Sequence, residues 1–232
     1  MQGERIAWCG HVPIVLIRPT VTLLDIFAMN RTEHWEHVYR TKAVDTVSWY
    51  QAEPTLSLAI IAEVAPSRNA RIIDVGAGAS RLTDALLSRG YEHLTVLDIS
   101  AAALDVSRAR LGDAAAPVTW LAADVLEVAL APSAYDVWHD RAVFHFLTDA
   151  ADRARYVQQL RTALRAGGHA IVATFADDGP LRCSGLETCR YSDLSLAAEF
   201  GEAFDLVASH REEHTTPSGG VQAFTYVVLR MR

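Results

Sequence analysis

A hydrophobic run that ends in an acid and breaks into two glycines constrains this chain more than any other feature: Ile72-Ile73-Asp74-Val75-Gly76-Ala77-Gly78-Ala79-Ser80. An aliphatic, partly β-branched run bounded by glycines reads as a buried strand. Glycine at 76 and 78 lets the backbone turn tightly and come close to a ligand. The helix expected next, over about 80–89 with Gly90 as its stop, points free N–H groups at the same place. Strand, glycine turn and helix make the first half of a βαβ unit, whose ligands bind at the carboxyl ends of parallel strands.

The rest of the chain repeats that unit. Strand-like runs at 94–98, 118–122, 135–139 and 169–175 alternate with helical stretches. One helix follows Pro54 over 55–65. A second is capped by Ser100 and reaches about 111. A third is capped by Asp149 and reaches about 164, with Gly167-Gly168 as its stop. The last two runs, 204–210 and 224–229, flank the turn Thr216-Pro217-Ser218-Gly219-Gly220 with no helix between them, so they are antiparallel neighbours. The pattern predicts an α/β fold with a mostly parallel sheet and one reversed strand. No fixed-period repeat and no linker divides it.

Three acids sharpen the reading of the glycine turn. A dinucleotide site wants a third glycine where this chain has Arg81. Asp74, just before the glycines, suits a cationic amine better than a phosphate. Asp98 closes the second strand about twenty residues past Gly78, where a carboxylate can accept both hydroxyls of a ribose. Asp124 follows the third strand, where it could accept an adenine amino hydrogen. Each acid alone would read equally well as a helix cap. Three at the ends of successive strands favour a ligand.

Composition bounds the partners. The 232 residues are half hydrophobic, with net charge −7 and a pI near 5.7. Such a chain has no general attraction to nucleic acid or anionic lipid, so neither is expected as a partner. Cys9, Cys183 and Cys189 form no disulfide framework and suit a reducing compartment, so a cytoplasmic location is expected. The apolar stretch 12–24 is interrupted by Arg18 and Pro19, is too short to span a bilayer and makes a poor signal peptide. Residues 1–28 are expected to be a leader or to precede the true start at Met29, with one domain over 29–232.

From about 34 to 229 the chain resembles the class I, seven-strand S-adenosylmethionine-dependent methyltransferases. The resemblance is carried by the turn from Asp74 to Gly78, by Asp98 and Asp124, by Tyr135-Asp136-Val137, and by Leu164-Arg165-Ala166-Gly167-Gly168, where the family usually has Pro at position 166. It implies a Rossmann-like doubly wound sheet of order 3-2-1-4-5-7-6 with strand 7 antiparallel. It implies S-adenosylmethionine as cofactor and S-adenosylhomocysteine as product, held by Asp74, Gly76, Ala77, Gly78, Asp98, Ile99, Asp124, Val125 and His139. A narrower likeness joins His34-Trp35-Glu36-His37-Val38-Tyr39 and Val47-Ser48-Trp49-Tyr50 to the branch that contains elongation-factor lysine methyltransferases. There Trp35, Tyr39, Trp49 and Tyr50 would form a partial lid, or else pack a helix onto the domain.

In the family, the residues after strand four border the methyl group and its acceptor. His139, Asp140, Arg141 and His145 are the catalytic candidates, since histidine can take a proton from an acceptor. The plainer reading pairs Asp140 with Arg141 to orient the loop. Lysine methyltransferases of related type carry Lys or Glu there. Cys183 could wall the acceptor pocket. The implied reaction is direct displacement on a sulfonium methyl, with no metal required. The competing functions are an NAD-dependent oxidoreductase or epimerase, which lacks its third glycine and its Tyr-x-x-x-Lys pair here, and a cofactor-binding protein without catalysis. The methyl acceptor, small molecule or protein side chain, stays open, as do the general base and the oligomeric state.

Overall fold

The computed structural model describes residues 30–232; the leader over 1–28 and the start at Met29 lie outside the described residues. Helices α1 (Arg31–Thr41) and α2 (Thr55–Val64) precede the first strand. Then come β1 (Arg71–Val75), α3 (Leu82–Ser88), β2 (His93–Asp98), α4 (Ala101–Leu111), β3 (Thr119–Ala122), β4 (Tyr135–Arg141), α5 (Ala150–Ala163) and β5 (Leu164–Phe175). A small hairpin, β6 (Arg182–Cys183) with β7 (Leu186–Glu187), and α6 (Asp193–Phe200) lead to the long antiparallel pair β8 (Phe204–Thr215) and β9 (Val221–Met231).

The main sheet runs β3-β2-β1-β4-β5-β9-β8. Strands β1 to β5 are parallel, and β9 lies antiparallel to both β5 and β8. Counting β8 and β9 as the sixth and seventh strands of the sheet, this is the expected order with the last strand reversed. Side chains on a strand alternate between faces, so the sheet has two apolar sides and needs helices on both. Ile72, Val96, Val137 and Ile171 pack with Leu58 and Ile61 of α2 and Leu82 and Leu86 of α3. Ile73, Leu97, Trp138 and Val172 pack with Tyr156 and Leu160 of α5 and Leu196 and Phe200 of α6. Among the described residues, no helix is long and apolar enough to cross a membrane.

Several bounds differ from expectation, and one difference matters. β4 runs on past His139 to Arg141, because Asp140 and Arg141 continue the ladder to Val172 and Ala173 of β5. Asp140 and Arg141, expected to follow the strand, therefore lie on it with His139, which sorts these members of the polar cluster by face. Gly167-Gly168 do not stop a helix. α5 ends at Ala163, and the two glycines lie inside β5, beside the irregular register between Tyr135 and Val137. Helix α6 starts at a serine cap: Ser192 accepts the N–H of Ser195 at 3.2 Å.

Candidate active site

The carboxyl ends of β1, β2, β3 and β4 border two adjoining cavities, the two lobes of the cleft. The first is lined by Gly76, Asp98, Ile99, Asp124, Val125, Val143 and Cys183; the second by Asp74, Ala77, Ser57, His139 and Tyr50. Tyr39, Trp49, Gly76 and Arg141 border both lobes.

The glycine turn has the left-handed backbone its residues permit, with φ +60° at Gly76 and +55° at Gly78. Its surroundings leave no room for side chains. A β-carbon at Gly76 would stand 1.8 Å from Cγ2 of Val143, and one at Gly78 would stand 2.0 Å from the Tyr39 hydroxyl. Gly76→Ala is therefore expected to destabilise the protein by about 2–4 kcal/mol, part from the left-handed alanine and part from overlap with a stiff β-branched neighbour. A double-mutant cycle with Val143→Ala, read by urea denaturation, should recover the overlap and leave the backbone part. Additive effects would show that Val143 is not the obstacle.

Asp98 is the centre of the first lobe. Its Oδ2 accepts the N–H of Gly78 at 2.7 Å and its Oδ1 accepts that of Ser100 at 2.8 Å, so strand end, glycine turn and α4 meet on one carboxylate. Burial raises its pKa to about 6 against the lowering effect of these two bonds, with Asp74 and Glu36 nearby adding to the rise. Asp124 is pinned by the N–H of Leu126 on Oδ1 at 2.9 Å, at the lip of the same lobe.

The face alternation of β4 decides what became of the polar cluster. His139 and Arg141 point with Val137 toward α2, into the cleft, whereas Asp140 points with Trp138 toward α5. Asp140 is fully buried and accepts from Val143 N–H at 2.9 Å, Phe144 N–H at 3.1 Å and Tyr156 O–H at 2.6 Å. It holds a turn in which Ala142 has φ +73°. Asp140 does not pair with Arg141. The guanidinium instead donates to the Tyr226 hydroxyl at 2.9 Å, the Trp49 carbonyl at 3.1 Å and Glu212 at 3.2 Å. His145 is also fully buried, with Nδ1 accepting the Phe175 N–H at 3.3 Å, and burial depresses its pKa to about 3. Neither Asp140 nor His145 lines either lobe.

The aromatic N-terminal residues pack on the domain and border the cleft. Trp35 stands edge-on to Trp49 at 5.6 Å and to Phe146 at 5.2 Å, and the three rings form one wall of the cleft. α1 is fastened to the domain by Glu36, whose Oε1 accepts from Ser100 Oγ at 3.3 Å and Ala102 N–H at 3.1 Å at the amino end of α4. Cys183, on the small hairpin, closes the same lobe, and burial pushes its thiol up to about 11. Cys189 lies apart from it, with its thiol directed at the Leu147 carbonyl.

Two supports were missed in the sequence. Arg110, at the end of α4, makes a two-point pair with Asp84 and donates to the carbonyls of Ala79 at 3.1 Å and Ser80 at 2.7 Å, clasping the exit of the glycine turn. Ser57 reaches His139 from the first turn of α2. An arginine late in a helix and a serine early in one are ordinary in any sequence, so neither stands out.

Residues 72–168 match the family model described as a methyltransferase domain. The fold is that of the class I methyltransferases. A solved structure from Burkholderia thailandensis, 1,6-didemethyltoxoflavin-N1-methyltransferase with bound 1,6-didemethyltoxoflavin and S-adenosylhomocysteine, superposes with TM-score 0.64 at 22% identity, covering 84% of this chain and 83% of that one. Among curated proteins, a malonyl-[acyl-carrier protein] O-methyltransferase from Anoxybacillus flavithermus is 33% identical over 108 residues, 46% of this chain and 39% of that protein. Ribosomal RNA small subunit methyltransferase A from Bordetella petrii is 44% identical over 72 residues, 30% of this chain and 26% of that protein. The chain thus spans well under half the length of either curated relative.

Proposed function

We propose that this protein is an S-adenosylmethionine-dependent methyltransferase acting by direct displacement on a small-molecule acceptor. One observation carries the reading: Asp98 and Asp124 line one cavity and Asp74 the adjoining one, and the left-handed Gly76 borders both. The cleft also fits the ligand at its least hospitable point. Oδ2 of Asp74 is buried without a hydrogen-bond partner, and a buried carboxylate oxygen needs a donor such as an ammonium group.

In this reading Asp98 accepts the ribose hydroxyls, Asp124 the adenine amino group, and Ile99 and Val125 flank the base. Asp74 receives the amine. Bound S-adenosylmethionine supplies a sulfonium methyl that is already a strong electrophile. What remains for the chain is alignment of the acceptor and exclusion of water, and Trp35, Trp49 and Phe146 do both at the wall they form. No general base is assigned. Both nitrogens of His139 are engaged by Asp74 and Ser57, His145 is sealed off, and the Cys183 thiol holds its proton at neutral pH. An acceptor that arrives with its lone pair already free suits this wall. The rings of Trp35, Trp49 and Phe146 offer a flat apolar surface on which a small planar molecule can stack.

Calorimetric titration with S-adenosylmethionine and S-adenosylhomocysteine, with NAD as control, tests the reading. Micromolar binding of the sulfur ligands and none of NAD is the expected result. Folded protein that binds neither sulfur ligand would return the dinucleotide and scaffold alternatives.

A further inference from the structure

We propose that Ser57 and His139 form a positioning relay that keeps one oxygen of Asp74 free and aimed at the ammonium group of the bound ligand's amino-acid portion. The inference rests on the cleft being an S-adenosylmethionine site. It assigns to two residues off the glycine turn a part in holding that ligand.

The relay is continuous and buried. His139 Nδ1 lies 2.7 Å from Asp74 Oδ1, and His139 Nε2 lies 2.9 Å from Ser57 Oγ. Asp74 is 5% exposed, His139 3% and Ser57 1%. The sheet itself sets the first contact, because Asp74 of β1 and His139 of β4 are register partners and share the face that α2 covers. α2 begins right after Pro54, which puts Ser57 in its first turn, over the imidazole. As a carboxylate, Asp74 can only accept, so Nδ1 carries the hydrogen between them and Nε2 turns to the hydroxyl.

A group that served only to fill this face would be apolar, as its neighbours Ile72 and Val137 are. A polar group placed for stability alone would be closed on itself, since a half-satisfied buried network is worse than an apolar core. This one is left open at a single atom, Asp74 Oδ2, and Asp74 borders the cleft. Holding Oδ1 on His139 fixes the plane of the carboxylate and so the direction of Oδ2. The order carboxylate, imidazole, hydroxyl is also that of a hydrolase triad. Ser57 is too deeply buried for acyl attack, however, and its hydroxyl is shared with Tyr226.

Two ligands separate positioning from general damage. S-adenosylhomocysteine carries the amino-acid portion, and 5′-methylthioadenosine lacks it. His139→Leu and Ser57→Ala are expected to weaken S-adenosylhomocysteine about tenfold and about threefold, with methylthioadenosine changed less than about twofold. His139→Asn, which keeps a donor where Nδ1 stands, should recover most of the loss. Calorimetry on protein of verified circular dichroism reads all three, and if His139→Leu fails to fold, the Asn and Ala variants decide. Equal losses for both ligands, or no loss for S-adenosylhomocysteine, would overturn the relay while leaving the methyltransferase reading in place. Wild-type protein that binds neither ligand would overturn the reading itself, and the relay with it.

Discussion

Asp98→Ala is expected to bind S-adenosylhomocysteine about a hundred- to ten-thousandfold more weakly than wild type, the largest effect of any single substitution in the cleft. Two hydrogen bonds from hydroxyls to a carboxylate contribute about 1.5–3 kcal/mol each, and the alanine also strands the buried N–H of Gly78. The carboxylate further predicts a pH dependence. Burial lifts Asp98 to about 6, above the ordinary carboxylate value of 3.8. A raised acid favours the fold while it is protonated, so this site's contribution to stability is full below the unfolded value and is lost as pH rises through about 6. Ligand binding has the opposite demand, because only the ionised form accepts from both hydroxyls. Wild-type affinity should therefore fall on acidification below about pH 6, approaching tenfold per pH unit, and the Asp98→Ala variant should lose that dependence. Calorimetry between about pH 5 and pH 7 checks both statements. A flat wild-type profile would show that Asp98 does not meet the ligand as a carboxylate.

The second large effect is on stability. Asp140→Ala should destabilise the protein by about 3–5 kcal/mol, a large part of the total for a domain. It leaves the N–H groups of Val143 and Phe144 and the Tyr156 hydroxyl buried without an acceptor, and it frees a turn that holds Ala142 in a left-handed conformation. Asp140→Asn retains one acceptor oxygen and should lose about half as much. Urea denaturation reads the stability, and calorimetry on the folded fraction reads the affinity. Affinity for S-adenosylhomocysteine in the Asn variant should stay within about threefold of wild type, because Asp140 acts on the cleft through the turn it holds and not by contact. A loss of stability below about 1 kcal/mol for the alanine variant would contradict the hub role.

The two positions differ in how far adjacent residues reveal them. The place of Asp98 at a strand end beside the glycine turn is legible because it is local: it ends an apolar run, at a set distance beyond two glycines. Asp140 stood in the same polar cluster as His139 and Arg141, and nothing in adjacent residues says which of them faces the cleft. That depends on β4 continuing as a strand through Arg141, so that alternate residues part to opposite sides of the sheet. His145 was drawn to the site by its type, yet the fold seals it behind the wall, under Phe146 and Phe175. Adjacency suggests Asp140 as a partner for Arg141; on a strand, neighbours point apart, and Arg141 finds Glu212 across 71 residues instead.

The sequence by itself determined the α/β class, the glycine turn, the three acids at strand ends and the reversed final strand, because strand period, turn chemistry and capping act among residues a few positions apart. Only the tertiary structure decided that Ser57 meets His139 across 82 residues, that Arg110 clasps the turn's exit, and that Trp35 and Trp49 form a wall of the cleft. Those pairings depend on sheet register and on how α1, α2 and α4 dock. Both are settled by the burial of whole faces at once, and no short stretch of residues records that sum.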